Sequence, residues 1–171
     1  MSRQTQDLYG YHKWANQRIF KHLKSLPEGI DEKEVQSVFP SIAEVLSHIY
    51  RVDQIWFSVM KGEAFDETME VVARVQKEIK GKNLIQIEEM YQNVSEAFQA
   101  FLEDQDNLDK IIECAHPEFG RLETPLSQLV QHVVNHGTYH RGNITAMLRQ
   151  MGYAGVPTDY IFYLYELAQV N

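Results

Sequence analysis

Apolar side chains recur at steps of three and four residues along several long segments, and this spacing most constrains the fold. Between residues 5 and 26, for example, Leu8, Tyr11, Ala15 and Ile19 follow one another in this way. An α-helix turns once every 3.6 residues, so such steps place the side chains on one face. The pattern predicts amphipathic helices that bury their apolar faces against one another.

Four segments carry this pattern clearly enough to define long helices. A capping box of Ser41 and Glu44 begins the second helix, Asn83 caps the third, and Thr124 with Pro125 begins the fourth. The expected helices cover residues 5–26, 42–60, 84–102 and 125–151.

The segments between these helices are shorter or more polar. Residues 61–83 read as a long polar connection with a helical turn or more around residues 71–79, long enough to let the second and third long helices run parallel. Two short extended segments, 110–115 and 120–123, precede the fourth long helix. The final segment, 159–168, is apolar on nearly every side and predicts a short helix buried against its own domain or a second subunit.

The composition narrows the class of protein. A chain of 171 residues predicts a single domain over residues 1–171. The net charge of −8, with scattered basic residues, argues against a nucleic-acid partner. The sequence contains no apolar run long enough to predict a membrane span. Cys114 is the single cysteine, which excludes an internal disulfide. We therefore expect a soluble, cytoplasmic protein.

Three histidines at equal spacing mark the fourth long helix. His136 and His140 lie four residues apart, on the same helical face and within the apolar stripe, so both imidazoles can reach one metal ion. His132 falls on the flank of the stripe and is expected beside the site or at the surface. Positions 137 and 138 are Gly and Thr, so the pair lacks the glutamate base of a His-Glu-x-x-His motif.

A third ligand has one candidate on another helix. His48 stands at the edge of the buried face of the second helix, where it is either a core histidine bonded to a backbone carbonyl or a third nitrogen ligand. Three histidines would leave one coordination position open, which is typical of catalytic zinc. Arg141 and Asn143 are possible polar contacts near the site, although Arg141 can equally face solvent. The remaining candidate ligands, His12, His22, Cys114 and His116, are interpreted as structural or surface residues.

Three parts of the sequence together resemble one known family. The segment Tyr11-His12-Lys13-Trp14-Ala15-Asn16, His48 on its capped helix and the run 135–143 are similar to the DinB family, within the DinB/YfiT-like group of metalloenzymes. The resemblance implies an all-α, four-helix bundle of up-down-down-up connection, usually a homodimer. It also implies a divalent metal ion, most often zinc or nickel, held by His48, His136 and His140.

The same resemblance suggests a reaction class. Relatives include thiol-dependent S-transferases and a mycothiol-dependent maleylpyruvate isomerase, so the expected function is metal-dependent activation of a low-molecular-weight thiol for transfer to a small-molecule substrate. A metal-dependent hydrolase and a non-catalytic, dimeric stress-response module remain alternatives. The sequence assigns no catalytic residue.

Overall fold

A computed structural model describes residues 2–170 of the chain and the side chains of residues 4–169. The two end residues of the expected domain, Met1 and Asn171, lie outside the described part. Six helices and a β-hairpin make up this part of the chain. In chain order they are α1 (Ser2–Lys24), α2 (Ile42–Met60), α3 (Phe65–Ile79), α4 (Leu84–Glu103), β1 (Ile111–His116), β2 (Gly120–Pro125), α5 (Leu126–Gln150) and α6 (Tyr160–Val170).

The four long helices form the all-α bundle that the sequence predicts. Rising residue numbers on α1 meet falling numbers on α4, so these two helices are antiparallel, whereas α2 and α4 rise together and are parallel. The ring contacts that show this are Tyr9–Phe98, Phe20–Tyr91, Tyr50–Tyr91 and Phe57–Phe98.

Side-chain contacts also give the direction of α5. This helix runs antiparallel to α2 and parallel to α1, which completes the up-down-down-up arrangement. The contacts that show this are His48–His140, Trp56–His132, Tyr11–Thr138 and Asn16–Arg141. The parallel pair of α2 and α4 needs a long crossover, and residues 61–83 provide it.

The crossover is more helical than the sequence suggests. Helix α3 covers all of residues 65–79, whereas the sequence predicts a helical turn or more around residues 71–79. Val75 is fully buried, and Val71 and Ile79, four residues to either side, pack against the same core. The other faces of α3 are strongly charged, and this masks the narrow apolar stripe in the sequence.

The segment before α5 forms the expected pair of extended strands. Strands β1 and β2 pair antiparallel, with Cys114 opposite Leu122. Pro125 is the residue that precedes α5 rather than its first helical residue, so the helix begins one position later than the sequence predicts. The Ser41 and Asn83 caps are both formed: Ser41 accepts from the backbone N–H of Glu44, and Asn83 from that of Gln86.

The terminal helix α6 packs along α1. Tyr163 lies beside Tyr11 and Trp14, and the Trp14 indole N–H donates to Glu166. Much of the opposite face of α6 is exposed: half of the Ile161 surface and 63% of the Tyr165 surface face solvent. The helix is therefore buried against its own chain on one side only.

Candidate metal centre

Two antiparallel helices bring the three candidate ligands together. His48 extends from α2, and His136 and His140 extend from successive turns of α5. The Nε2 atoms of His48 and His136 are 3.0 Å apart, and one ring nitrogen from each of the three residues lies within 4.8 Å of the others. The structure thus brings together the three residues that the sequence singles out, although His48 and His136 are 88 residues apart in the chain.

The spacing and the charge state of these rings suit a divalent metal. Nitrogens that share one zinc ion at about 2.0 to 2.1 Å lie a little over 3 Å from each other. Burial, His140 and the Arg51 guanidinium lower the pKa of His48 to about 4. Burial and the surrounding histidines lower the pKa of His136 to about 3. Burial also lowers the pKa of His140. All three imidazoles are therefore neutral near neutral pH, as metal ligands must be.

Hydrogen bonds show which nitrogen carries each proton. The Arg51 guanidinium lies 3.3 Å from His48 Nδ1, and because arginine only donates, Nδ1 is the acceptor. The His48 proton is then on Nε2 and donates to His136 Nε2. This places the His136 proton on Nδ1, which is buried and has no hydrogen-bond partner among the described residues. A buried polar atom without a hydrogen-bond partner costs free energy, and in this arrangement the His136 Nδ1–H is such an atom.

Two further side chains surround the rings. Phe39, from the segment before α2, packs against both His48 and His140, with ring centroids 5.1 and 5.5 Å away. The Asn143 amide lies 3.2 Å from His140 Nδ1, which leaves Nε2 of that ring for the cluster. Phe39 therefore shields one side of the site from water, and Asn143 orients one ligand.

The remaining histidines and the cysteine do not join this cluster. His132 lies on its flank, 6.2 Å from the His136 ring centroid, and packs against Trp56, in agreement with a place beside the site. His22 bonds to the carbonyl of Ala154. His116 bonds within the hairpin, and Cys114, on the same strand, is a free thiol.

A second polar group lies on the side of α5 that faces α1, and the sequence did not predict it. Arg141 is 1% exposed, so it does not face solvent, and its hydrogen-bond partners are residues other than the three ligand histidines. Its Nη1 donates to Asn16 Oδ1 at 2.9 Å and lies 3.4 Å from His12 Nδ1. His12 Nε2 in turn donates to Asp53 Oδ2 at 2.9 Å. This buried network, consisting of His12, Asn16, Asp53 and Arg141, connects α1, α2 and α5.

Gly137 has no side chain, and this leaves space for two residues of the buried network, His12 and Arg141. A Cβ atom on Gly137 would lie 2.4 Å from His12 Cε1 and 2.8 Å from Arg141 Nη1, closer than side chains can approach. A glycine inside a helix costs about 0.5 to 1 kcal/mol relative to alanine, so it is kept where another group must come close. Gly137, a glycine inside a helix and between His136 and His140, was the sequence feature that could have indicated a close neighbour at this position.

Comparison with known proteins identifies relatives of this chain over most of its length. The profile of the DinB family matches residues 1–169. The chain is also 46% identical over 158 residues to Protein DinB of Bacillus subtilis (strain 168), covering 92% of each chain. No helix among the described residues is both long and apolar enough to cross a membrane.

Proposed function

Because the chain belongs to the DinB family, we propose that it is a divalent-metal-dependent enzyme whose ion is held by His48, His136 and His140. The observation that carries this proposal is the convergence of three neutral imidazoles from two helices, with two Nε2 atoms 3.0 Å apart. Neutral nitrogen ligands favour zinc or nickel over magnesium or calcium. Three protein ligands leave a position free for a reactant.

The proposed reaction is transfer of a low-molecular-weight thiol to a small electrophilic substrate. A divalent ion at this site would supply a Lewis acid that lowers the pKa of a thiol and so favours the nucleophilic thiolate. The thiol chemistry is carried over from the resemblance to thiol-dependent S-transferases. Hydrolysis is the alternative if water rather than a thiol takes the open position.

The side chains of the protein contribute positioning and shielding. His136 and His140 are held on one rigid helix, while His48 comes from a second helix that packs along it. Asn143 orients the His140 ring, and Phe39 covers the cluster on one side. Among the described residues, no carboxylate takes part in the three-histidine cluster.

Metal analysis is the first test of this proposal. Protein purified without added chelator is expected to carry about one divalent ion per chain, and the variant with His48, His136 and His140 all replaced by Ala is expected to carry none and to melt at a lower temperature. His132→Ala, a matched change on the flank of the cluster, should retain the ion. Absence of stoichiometric metal, with equal melting of the parent and the triple variant, would show that the site is not a metal centre.

Turnover is the second test. Metal-loaded protein is mixed with a panel of low-molecular-weight thiols and the electrophile monochlorobimane, whose thiol adduct is fluorescent. Adduct formation should exceed the rate with the triple variant. Bound metal without any turnover above that rate favours the non-catalytic binding module instead.

A further inference from the structure

A cavity of about 470 Å³ opens beside the metal centre, between the start of α2 and the end of α3. This size is in the range of small-molecule sites. His48 is the candidate ligand that lines it, so the cavity approaches the cluster from the α2 side. A small molecule bound in this cavity would lie directly against the His48 ring.

The charges around the cavity favour an anion. Arg51, Lys80 and Lys82 line it, and none of the three forms an ion pair within the described part of the chain. Glu32 and Glu44 are the two acidic residues in the lining, so the walls carry one net positive charge. The divalent ion that this inference requires would add to this positive charge, so the cavity favours an anion over a neutral group. A carboxylate has two oxygens in one plane and can accept from two neighbouring donors at once.

The contact between Arg51 and His48 cannot persist when a metal is bound. Arg51 donates to His48 Nδ1, which requires Nδ1 to be unprotonated. If His48 gives its Nε2 lone pair to a metal ion, the ring proton must lie on Nδ1 and becomes a donor. Two donors cannot bond to each other, so both the guanidinium and the Nδ1–H then need an acceptor.

Among the described residues, no acceptor side chain is hydrogen-bonded to Arg51 or to His48 Nδ1, although Glu44, one turn before His48 on α2, lines the same cavity. Metal-binding histidines generally donate the second ring N–H to a carboxylate, a backbone carbonyl or water. Among the described residues, Arg51 is the hydrogen-bond partner of His48 Nδ1, and Arg51 accepts no hydrogen bond. A carboxylate in the cavity could accept from Arg51 and from His48 Nδ1–H at the same time.

We infer that the cavity lined by His48, Arg51, Lys80 and Lys82 binds the carboxylate group of a small-molecule substrate. This deepens the proposed function and rests on it, because the free Nδ1–H exists only when His48 holds a metal. Arg51 is then a specificity-determining residue that selects carboxylate-bearing molecules. The bound carboxylate also completes the hydrogen bonding of one ligand ring.

The test measures binding of acetate to zinc-loaded protein, with neutral acetamide as the matched ligand. Zinc uptake is measured first by titration. Acetate binding is then followed through the imidazole nitrogen NMR signals. Acetate should bind with a shift of the His48 Nδ1 signal larger than that of His140 Nδ1, and acetamide should bind more weakly.

Arg51→Gln should weaken acetate binding about tenfold, because a charge-assisted pair is lost. Arg149→Gln, the same change on an exposed arginine outside the cavity, should leave binding unaltered. Arg51→Lys keeps the charge without the planar fork and should give intermediate binding. This variant decides the matter if circular dichroism shows that Arg51→Gln does not fold.

The outcomes separate this inference from the proposed function. Zinc uptake with equal acetate binding by the parent and Arg51→Gln overturns the carboxylate site and leaves the metal centre intact. Failure to take up zinc contradicts the metal centre and this inference together. Acetate binding that depends on Arg51 but shifts all three ligand rings equally, as binding at the ion itself would do, also overturns it.

Discussion

Asn143 lies on α5, three residues after His140, and its amide is 3.2 Å from the ring Nδ1. When His140 holds a metal through Nε2, Nδ1 carries the proton and needs an acceptor. The Asn143 side chain supplies one by turning its carbonyl oxygen toward the ring. Without the ion, the Nδ1 atoms of the three rings have different neighbours: the Asn143 amide beside His140, the Arg51 guanidinium beside His48, and no hydrogen-bond partner among the described residues for His136.

Replacing Asn143 tests this role at one position. Asn143→Ala is expected to weaken zinc binding about 10- to 100-fold, because loss of an outer hydrogen bond leaves the ligand poorly oriented. Asn143→Asp retains an acceptor and should bind zinc nearly as the parent does. Competition with a chromophoric chelator measures both affinities. Equal affinity of the Ala variant and the parent would show that Asn143 has no part in ligand orientation.

The lowered pKa values of His48 and His136 predict how the metal-free protein responds to acid. Their pKa values, about 4 and about 3, lie below the value of about 6.5 expected in the unfolded chain. As pH falls below the unfolded value, the unfolded state takes up protons that the folded state does not. The free energy of unfolding should therefore decrease from about pH 7 to about pH 5.

Urea unfolding of chelator-treated protein at these two pH values measures the effect. In the double variant His48→Gln/His136→Gln, the difference between the two pH values should shrink, since neither position can be protonated. An undiminished difference in the double variant would assign the acid sensitivity to other groups.

At the scale of elements, neighbouring residues of α5 contribute to two separate structures, the histidine cluster and the buried network. His136 and His140 face α2, whereas Gly137 and Arg141, each one position later, face α1 and the buried network. Burial lowers the pKa of Arg141, and its nearest hydrogen-bond acceptors are the Asn16 amide oxygen and the Thr138 hydroxyl, each at 2.9 Å, rather than a carboxylate. The network holds α1 against the same helix that presents two of the ligands.

Two glycines on α5 provide a matched pair of changes. Gly137→Ala is expected to destabilise the protein by about 1 to 3 kcal/mol, because the added methyl group overlaps His12 and Arg141. Gly142→Ala meets no atom within 4 Å and should stabilise the helix by about 0.5 to 1 kcal/mol. Urea unfolding measures both free energies. Equal and favourable effects at the two positions would show that the network can move aside.

These elements also show what a sequence can predict. The pair His136 and His140 follows from helical spacing, because the two residues lie on successive turns of one face of one helix. His48 could be placed at the edge of a buried face, but its approach to the other two depends on how α2 packs along α5. Arg141 could not be assigned at all, since its partners His12 and Asn16 lie on α1, and spacing along one helix carries no information about another.

At the scale of the molecule, the outer face of α6 carries several neighbouring apolar side chains that the described part of the chain leaves exposed. Ile161, Phe162 and Tyr165 are between 42% and 63% exposed on this helix. Such neighbouring apolar side chains are often covered by a partner, and most soluble oligomers are symmetric dimers. The expected homodimer would bury this face against the same face of a second copy.

Light scattering tests the dimer. The parent is expected to have twice the mass of one chain at micromolar concentration, and Tyr165→Lys should shift it toward the monomer by placing a charge in the contact. Phe119→Lys is a suitable control, because Phe119 is 85% exposed on the hairpin rather than on α6. A parent protein that is monomeric at this concentration would contradict the expectation.

The long separation between His48 and His136, 88 residues, has a consequence for biosynthesis. A chain is made from its N-terminus, so a nascent chain that ends before α5 has only one of the three ligands. The ion that we propose for this site could therefore be acquired only after nearly the whole bundle has left the ribosome. Fragments that end before residue 136 would not bind the ion. Metal content would therefore distinguish complete chains from chains whose synthesis stopped early.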